Sequence, residues 1–371
     1  MTTFSVVAIS IVILLLGYRK KSWNWKTWPF SNVHGQDHGS CQGPSDLKCI
    51  APYPAQPIKG RKRYRVMMDI RRLDMENWLT LDKNYLDEHR VRDRLLREKR
   101  DQVLQCLPES EEGCQEALEE VSKFLCQRFP SAFRSVVDGN EPYVENRVTK
   151  EKFSLKNEKT AESNMDALES AVRLTMEDLS ILMTNEDGEY YLAASASLFP
   201  TGWTVKDRIG WTISQLHQPV PLWHKQAENS VNKFLATLRP TTPMERSNYF
   251  VEIKRPDEDL FETLYRPGSL CEKQPTDPSP EEIIIRRERQ TFLRLPKTGT
   301  ILFGVKTYLT PICQLPKQEL ENLVTEMDTW PDDVGEYKGK NVWGPKLLEY
   351  YNELVASETQ CEKEVSHDAM S

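Results

Sequence analysis

The chain has 371 residues, 39% of them apolar, nine tryptophans and a formal net charge of −7. That composition supplies a core for one large domain or two ordinary ones. The acidic balance, with no basic stripe and no zinc-finger spacing, speaks against nucleic acid as a partner, and the eight cysteines contain no Cys-x-x-Cys pair of the kind that iron–sulfur and structural zinc sites use.

Phe4 to Tyr18 is uncharged and rich in Val, Ile and Leu, and Arg19, Lys20 and Lys21 follow at once. As a helix this run spans about 22 Å, short for a hydrocarbon core of about 30 Å but tolerable in a thin bilayer such as the endoplasmic reticulum. A secretory signal carries its charges before the apolar run and a small-residue cleavage site after it, and neither is present. The expectation is an uncleaved, single-pass anchor over residues 1–21. By the positive-inside rule the body then faces the cytosol. None of the fifteen asparagines begins an Asn-x-Ser/Thr sequon, in keeping with that side of the membrane.

Residues 22–59 carry three interfacial tryptophans and then a Gly, Pro, Ser and His-rich stretch, read as a tether. His34, His38 and Cys41 look like half a metal site, but without a second half they read as linker. Lys59 to Arg65 is a basic run that suits a solvated loop or a contact with anionic headgroups. Hydrophobic periodicity predicts helices over Asn84–Leu107, Glu111–Phe129 and Ser163–Met183, then a strand over Glu189–Phe199. Glu228–Leu238 reads as helix, and Asn248–Lys254, Ile284–Leu295 and Gly299–Leu309 read as strands. Two helices follow, Lys317–Met327 and Gly344–Ala356, and from Glu358 the tail is polar and reads as frayed. The sum is an α+β fold, a mainly antiparallel sheet with packed helices. The body is expected over residues 60–315, with C-terminal helices and tail over 316–371.

Several chemistries lack their motifs. There is no Gly-x-Gly-x-x-Gly, no phosphate-cradling Gly-x-x-x-x-Gly-Lys, no Gly-x-Ser-x-Gly and no His-Glu-x-x-His. A standard Rossmann site for NAD or FAD is therefore not expected, and redox chemistry here draws its electrons from elsewhere. One local feature stands out: His217 sits just before Pro219 and Pro221, whose rings fix the backbone and so the direction of the imidazole.

Six stretches in register resemble the alpha-subunit-like family of haem-dependent oxidative N-demethylases. They are Arg72–Tyr85, Met176–Leu179, Phe199–Trp203 with Lys206, Leu216–Pro221, Arg246–Tyr249, and Arg287–Pro296 leading into Thr300–Tyr308. The resemblance implies haem b in a PAS-like fold, oxygen insertion into an N-methyl C–H bond of a secondary or related amine, and release of formaldehyde. It also implies a separate NADPH-dependent reductase as partner.

Under that resemblance His217 is the candidate iron ligand, with His224 as competitor and His89 read as solvated on a charged helix. Arg287 and Arg289 share one face of an alternating strand and, with Lys206 and Lys297, are candidates for the haem propionates. Ion pairs with Glu288 or Glu177 are the alternative for the two arginines. Trp203 either walls the haem or fills core. Glu177 and Asp178, placed on the predicted Ser163–Met183 helix, are candidates for holding a cationic amine or for an internal salt bridge. Gln218 and Tyr249 stand where relatives often have a small residue and a tryptophan. Two other readings stay open, a PAS-like haem sensor that binds gas without turnover and a haem-free scaffold.

Overall fold

The computed structural model describes residues 44–139, 141–156, 166–268 and 277–368. The expected anchor and the His34, His38 and Cys41 cluster lie outside these. Among the described residues no helix is long and apolar enough to cross a membrane. Residues 44–59, expected as the end of the tether, are tied to the body. Leu47 and Ile58 are buried, and the Ile58 N–H donates to Glu319 Oε1 at 2.7 Å.

The described residues form ten strands: β1 (Arg71–Arg72), β2 (Leu104–Cys106), β3 (Phe133–Asp138), β4 (Glu141–Asn146), β5 (Glu151–Ser154), β6 (Asp178–Thr184), β7 (Tyr190–Ala196), β8 (Met244–Ile253), β9 (Ile283–Arg294) and β10 (Ile301–Pro311). Seven form one antiparallel sheet in the order β1-β8-β9-β10-β6-β7-β2, and β3, β4 and β5 form a small second sheet. The expected α+β class, with a mainly antiparallel sheet and packed helices, is what the chain adopts.

Alternation sorts the central strands into two faces. Leu179 and Ile181 of β6, Leu293 of β9 and Leu302 of β10 join one core cluster with helices Tyr85–Glu98, Glu111–Arg128 and Ala167–Leu174. Leu182, Phe292 and Ile301 face the other way, against Trp223, Val231 and Leu235. The helix Tyr85–Glu98 buries Tyr85, Glu88, Val91, Arg92, Leu95 and Leu96, the stripe expected of a helix lying on a sheet. A third cluster seats helices Lys317–Asp328 and Lys340–Asp368 on Ile283 and Ile285 of β9.

Two predicted helices are corrected. The first stops at Glu98, and after one more turn Leu104–Cys106 becomes β2 on the edge of β7. The second, predicted over Ser163–Met183, is helical only over Ala167–Leu174, and Thr175 is extended (φ −108°, ψ 171°). Asp178–Thr184 is β6 instead: Asp178 and Ser180 alternate with Leu179 and Ile181 for only four residues before Leu182 and Met183 follow, too short an alternation to stand out from the helical spacing before it. Asp178 thus lies on a strand, not on a helix. The last helix runs to Asp368, past the expected end at Ala356.

Charges are built into the inner face. Lys306 of β10 is 1% exposed, and its Nζ donates to both Glu88 carboxylate oxygens (2.7 and 2.9 Å) and to the Thr307 carbonyl (3.0 Å). This contact pins the helix Tyr85–Glu98 to the sheet. Substituting Lys306→Met strands the Glu88 carboxylate in the core and is expected to cost about 3–5 kcal/mol in urea unfolding. Adding Glu88→Leu should restore much of the loss; a single variant as stable as the parent would show that the pair carries no such role.

Candidate functional site

A cavity of about 780 Å³ lies on the outer face of the seven-stranded sheet. That size is ordinary for small-molecule and cofactor sites, which run from about 300 to 1,000 Å³. Its floor is the outward set of alternating side chains: Ser180 and Leu182 of β6, Leu192 of β7, Arg246 and Asn248 of β8, Glu288, Gln290 and Phe292 of β9, and Phe303 and Val305 of β10. The short helices Ile213–Leu216, Trp223–Gln226 and Glu228–Thr237 roof it. The basic run after Lys59 forms one wall, with Lys59 and Arg61 paired to Asp69.

His217 is held in the roof by the chain on either side of it. The helix Ile213–Leu216 starts at a capping box between Thr212 and Gln215 and ends with His217 as its cap residue. Pro219 and Pro221 prevent continuation, and Leu222 adopts a left-handed conformation (φ 64°) that turns the chain back. The reversal stacks Trp223 on the imidazole, ring centroids 3.9 Å apart and planes 10° from parallel. The Nδ1 atom lies 2.8 Å from the Ile213 carbonyl. A carbonyl only accepts, so Nδ1 carries the proton and the neutral ring keeps its lone pair on Nε2. Burial drives the imidazole down to about 4 against the help of that hydrogen bond, and Arg246 and Arg208 push the same way. The residue is therefore a neutral histidine in a cavity wall, with its tautomer set.

The other polar groups of the cavity divide into committed and uncommitted ones. Asp178 accepts from the Phe199 N–H at 2.9 Å and is paired with Arg92 at 3.0 Å. Arg208 lies over the rings of Trp203 and Trp211, and Lys338 over Tyr249, Phe250 and Trp330. Neither cation has a carboxylate salt-bridge partner among the described residues. Burial lowers the pKa of both, that of Lys338 to about 8. Arg246 donates to the Met68 carbonyl (2.8 Å) and to Gln290 Oε1 (2.9 Å), and Gln290 Nε2 donates on to Glu288 at 2.8 Å. Glu288 has no ion pair within salt-bridge distance among the described residues, and burial raises its pKa. The Trp223 indole N–H is buried beside His217 with no acceptor.

His217, Trp203 and Asp178 all line this cavity. The remaining candidates do not meet there as a group. Arg289 lies behind the sheet, donating to Glu245 (2.7 Å) and to the Trp78 and Asn77 carbonyls. Arg287 touches the cavity wall, but its guanidinium is engaged by Glu319 at 2.5 Å and by Thr310. The two arginines share a face without sharing a partner. Glu177 is buried, accepting from the backbone N–H and hydroxyl of Thr80 (3.0 and 3.1 Å). Lys206 is exposed on Asp101, Lys297 on Glu119, and His224 on Glu228. His89, expected in solvent, is instead half-buried, paired with Glu151 at 2.9 Å and stacked on Tyr85.

Arg208, Arg246, Lys338 and Glu288 are site residues that sequence reasoning passed over. For Glu288 the signal was present, since one step along β9 from Arg287 reverses the face. Lys338 gave none, because its place depends on how the C-terminal helices return to the sheet.

Residues 69–348 match the family described as haem-dependent oxidative N-demethylase, alpha subunit-like. The chain belongs to this family. The match takes in the whole seven-stranded sheet, the cavity roof and the C-terminal segment as far as residue 348, Lys338 included. The cavity is compatible with the group that the family name specifies. It offers an unprotonated imidazole nitrogen of fixed tautomer, apolar and aromatic walls, an unsatisfied indole N–H beside that ring, and cations without carboxylate salt-bridge partners among the described residues.

The pH response follows from His217. Between pH 6.5 and 4 the unfolded chain takes up a proton that the folded ring refuses, so stability is full above that window and falls as pH drops through it. In haem-free protein, moving from pH 7 to 4.5 should cost the parent about 2–3 kcal/mol more than His217→Gln in urea unfolding. Equal losses would mean that the ring protonates freely in the folded state.

Proposed function

We propose that the chain is a haem b monooxygenase that removes an N-methyl group from a secondary or related amine as formaldehyde. The observation that carries this reading is His217, with Nδ1 tied to a carbonyl and Nε2 left as the ligand atom in a cavity wall. In that reading Arg208, Arg246 and Lys338 are the propionate partners, and Trp203, Phe292 and Phe303 are apolar walls. Bound there, haem supplies oxygen activation for cleaving the C–H bond. The protein supplies the rest. The walls exclude water, and the cations fix the cofactor's orientation.

Glu288 is the group that suits a cationic amine. Its carboxylate is half-buried, its hydrogen bond from Gln290 is neutral, and it lacks the paired arginine that satisfies Asp178. It is oriented through Gln290, which Arg246 holds in turn. An ammonium group arriving in the cavity would meet a half-buried carboxylate whose charge burial disfavours, and would stabilise that charge.

With no nucleotide-binding motif in the sequence, the electrons come in this reading from a separate NADPH-dependent reductase. The antiparallel sheet with helices on its faces is compatible with a PAS-like haem fold. The apolar run at residues 4–18 would hold the enzyme on the cytosolic side of the endoplasmic reticulum membrane, concentrating it near a membrane-bound reductase. Carbonate extraction of full-length chain beside a variant lacking residues 1–21 tests the anchor; extraction of both sinks it.

The first test is the absorption spectrum of protein supplied with haem. The parent should bind haem with a strong Soret band, and His217→Ala should weaken binding by at least about tenfold, the loss seen when the support of a metal ligand is removed. A spectrum unchanged in the variant would remove His217 from the iron. Reduced protein given oxygen and N-methylated amines should release formaldehyde; binding of gas without any product would favour a sensor. Glu288→Gln should leave the spectrum intact and raise the amine KM about 10- to 100-fold, the value of a charge-assisted hydrogen bond. An unchanged KM would take Glu288 out of substrate binding.

A further inference from the structure

A second cavity, of about 410 Å³, lies away from the His217 site and has both Cys106 and Cys114 in its lining. The topology brings them together. Cys106 is the last residue of β2, paired with Ala194 of β7, and Leu107 continues that pairing by donating to the Ala193 carbonyl. The turn Pro108–Ser110 then folds the chain back so that Cys114 sits in the first turn of the helix Glu111–Arg128. There both thiols line the same cavity, and Cys114 Sγ lies 3.7 Å from Ser110 Oγ. Neither is in a disulfide, Cys106 is exposed, and Cys114 is buried.

We propose that Cys106 and Cys114 are a redox-modification site, a dithiol that a hydroperoxide converts to a reversible disulfide. The geometry supplies what the reaction needs: two cysteines brought to one cavity by a single tight turn, and a helix N-terminus beside Cys114 that favours a thiolate. The influence of each thiol on the other works in the same direction, lowering the pKa of Cys114 and raising that of Cys106. The thiolate attacks the O–O bond and becomes a sulfenic acid as hydroxide leaves and takes up a proton. The neighbouring thiol then attacks that sulfur and displaces water. Two electrons pass from the sulfurs to one hydrogen peroxide, two S–H bonds and the O–O bond break, and one S–S bond and two waters form. A thiol reductant reverses the change. The inference is independent of haem binding.

The test is direct, because no Lys or Arg lies between the two cysteines and one tryptic peptide, Asp101–Lys123, contains both. Full-length protein is treated with hydrogen peroxide, then alkylated, digested and mapped by mass. The expected result is a peptide lighter by two hydrogens with both thiols protected, restored to double alkylation by dithiothreitol, while Cys49, Cys126 and Cys313 stay alkylated. Cys106→Ser, at an exposed position, should abolish the protection of Cys114. Double alkylation after peroxide, oxidation of one sulfur to sulfinic acid without an S–S bond, or pairing with another cysteine would each overturn the proposal.

Discussion

The two-residue period of β6, β9 and β10 is the constraint on which the rest of the molecule depends. One set of side chains on these strands is given to holding helices, and the other set forms the floor of the cavity. Lys306, Arg289 and Leu302 belong to the first set; Glu288, Gln290, Phe292 and Phe303 belong to the second. A slip of one residue in any of these pairings would exchange the two sets, placing structural charges in the cavity and cavity groups in the core. The buried ion pairs of the inner face therefore also fix register. Lys306 reaches Glu88 and Arg289 reaches Glu245 only when the strands are aligned as they are.

The cavity is not electrostatically closed. Several buried charges elsewhere in the protein are matched, as the arginines on Glu252, Glu319 and Glu245 show, while Glu177 rests on Thr80. Inside the cavity Lys338 and Arg208 rest on aromatic rings instead of on carboxylates, and Glu288 rests on an amide. Cation–π contacts and neutral hydrogen bonds recover only part of the solvation lost on burial. Within the cavity this mismatch surrounds a histidine whose tautomer the backbone dictates. A charged and partly anionic cofactor with a cationic substrate would balance it.

Much of this was legible in the sequence, and the failures have physical causes. The long strands β9 and β10 and the helix Glu111–Arg128 follow from their periodicity, and the rigid turn after His217 follows from its prolines. Asp178 was put on a helix because the polar–apolar alternation of β6 lasts only from Asp178 to Ile181 and runs straight on from a helical stripe. The charged side chains of β9 were visible, but deciding which of them face a cavity requires knowing what covers each side of the sheet. Arg287 and Arg289 looked like ligand-binding residues for the same reason that they are buried: each has a specific anionic partner, supplied by residues far away in sequence. The strands β3, β4 and β5 are short and carry charged residues between their buried ones, so they left no run to recognise.

The wall formed by the segment around Ile58 and Arg61 has a bearing on how the cavity is closed. Ile58 and Arg61 bond to Glu319, Asn322 and Glu326 across sequence separations of 261, 264 and 265 residues. Gly60, at φ +65°, lets the chain pass so close that a Cβ there would meet Asn322 Oδ1 at 2.5 Å. Contacts closing so large a loop carry the greatest entropic cost and give the least early reward. This seam is therefore the part of the cavity wall whose closure costs the chain the most entropy. Its bonds belong to no strand pairing, so loosening it would open the cavity wall while leaving the sheet's ladder intact.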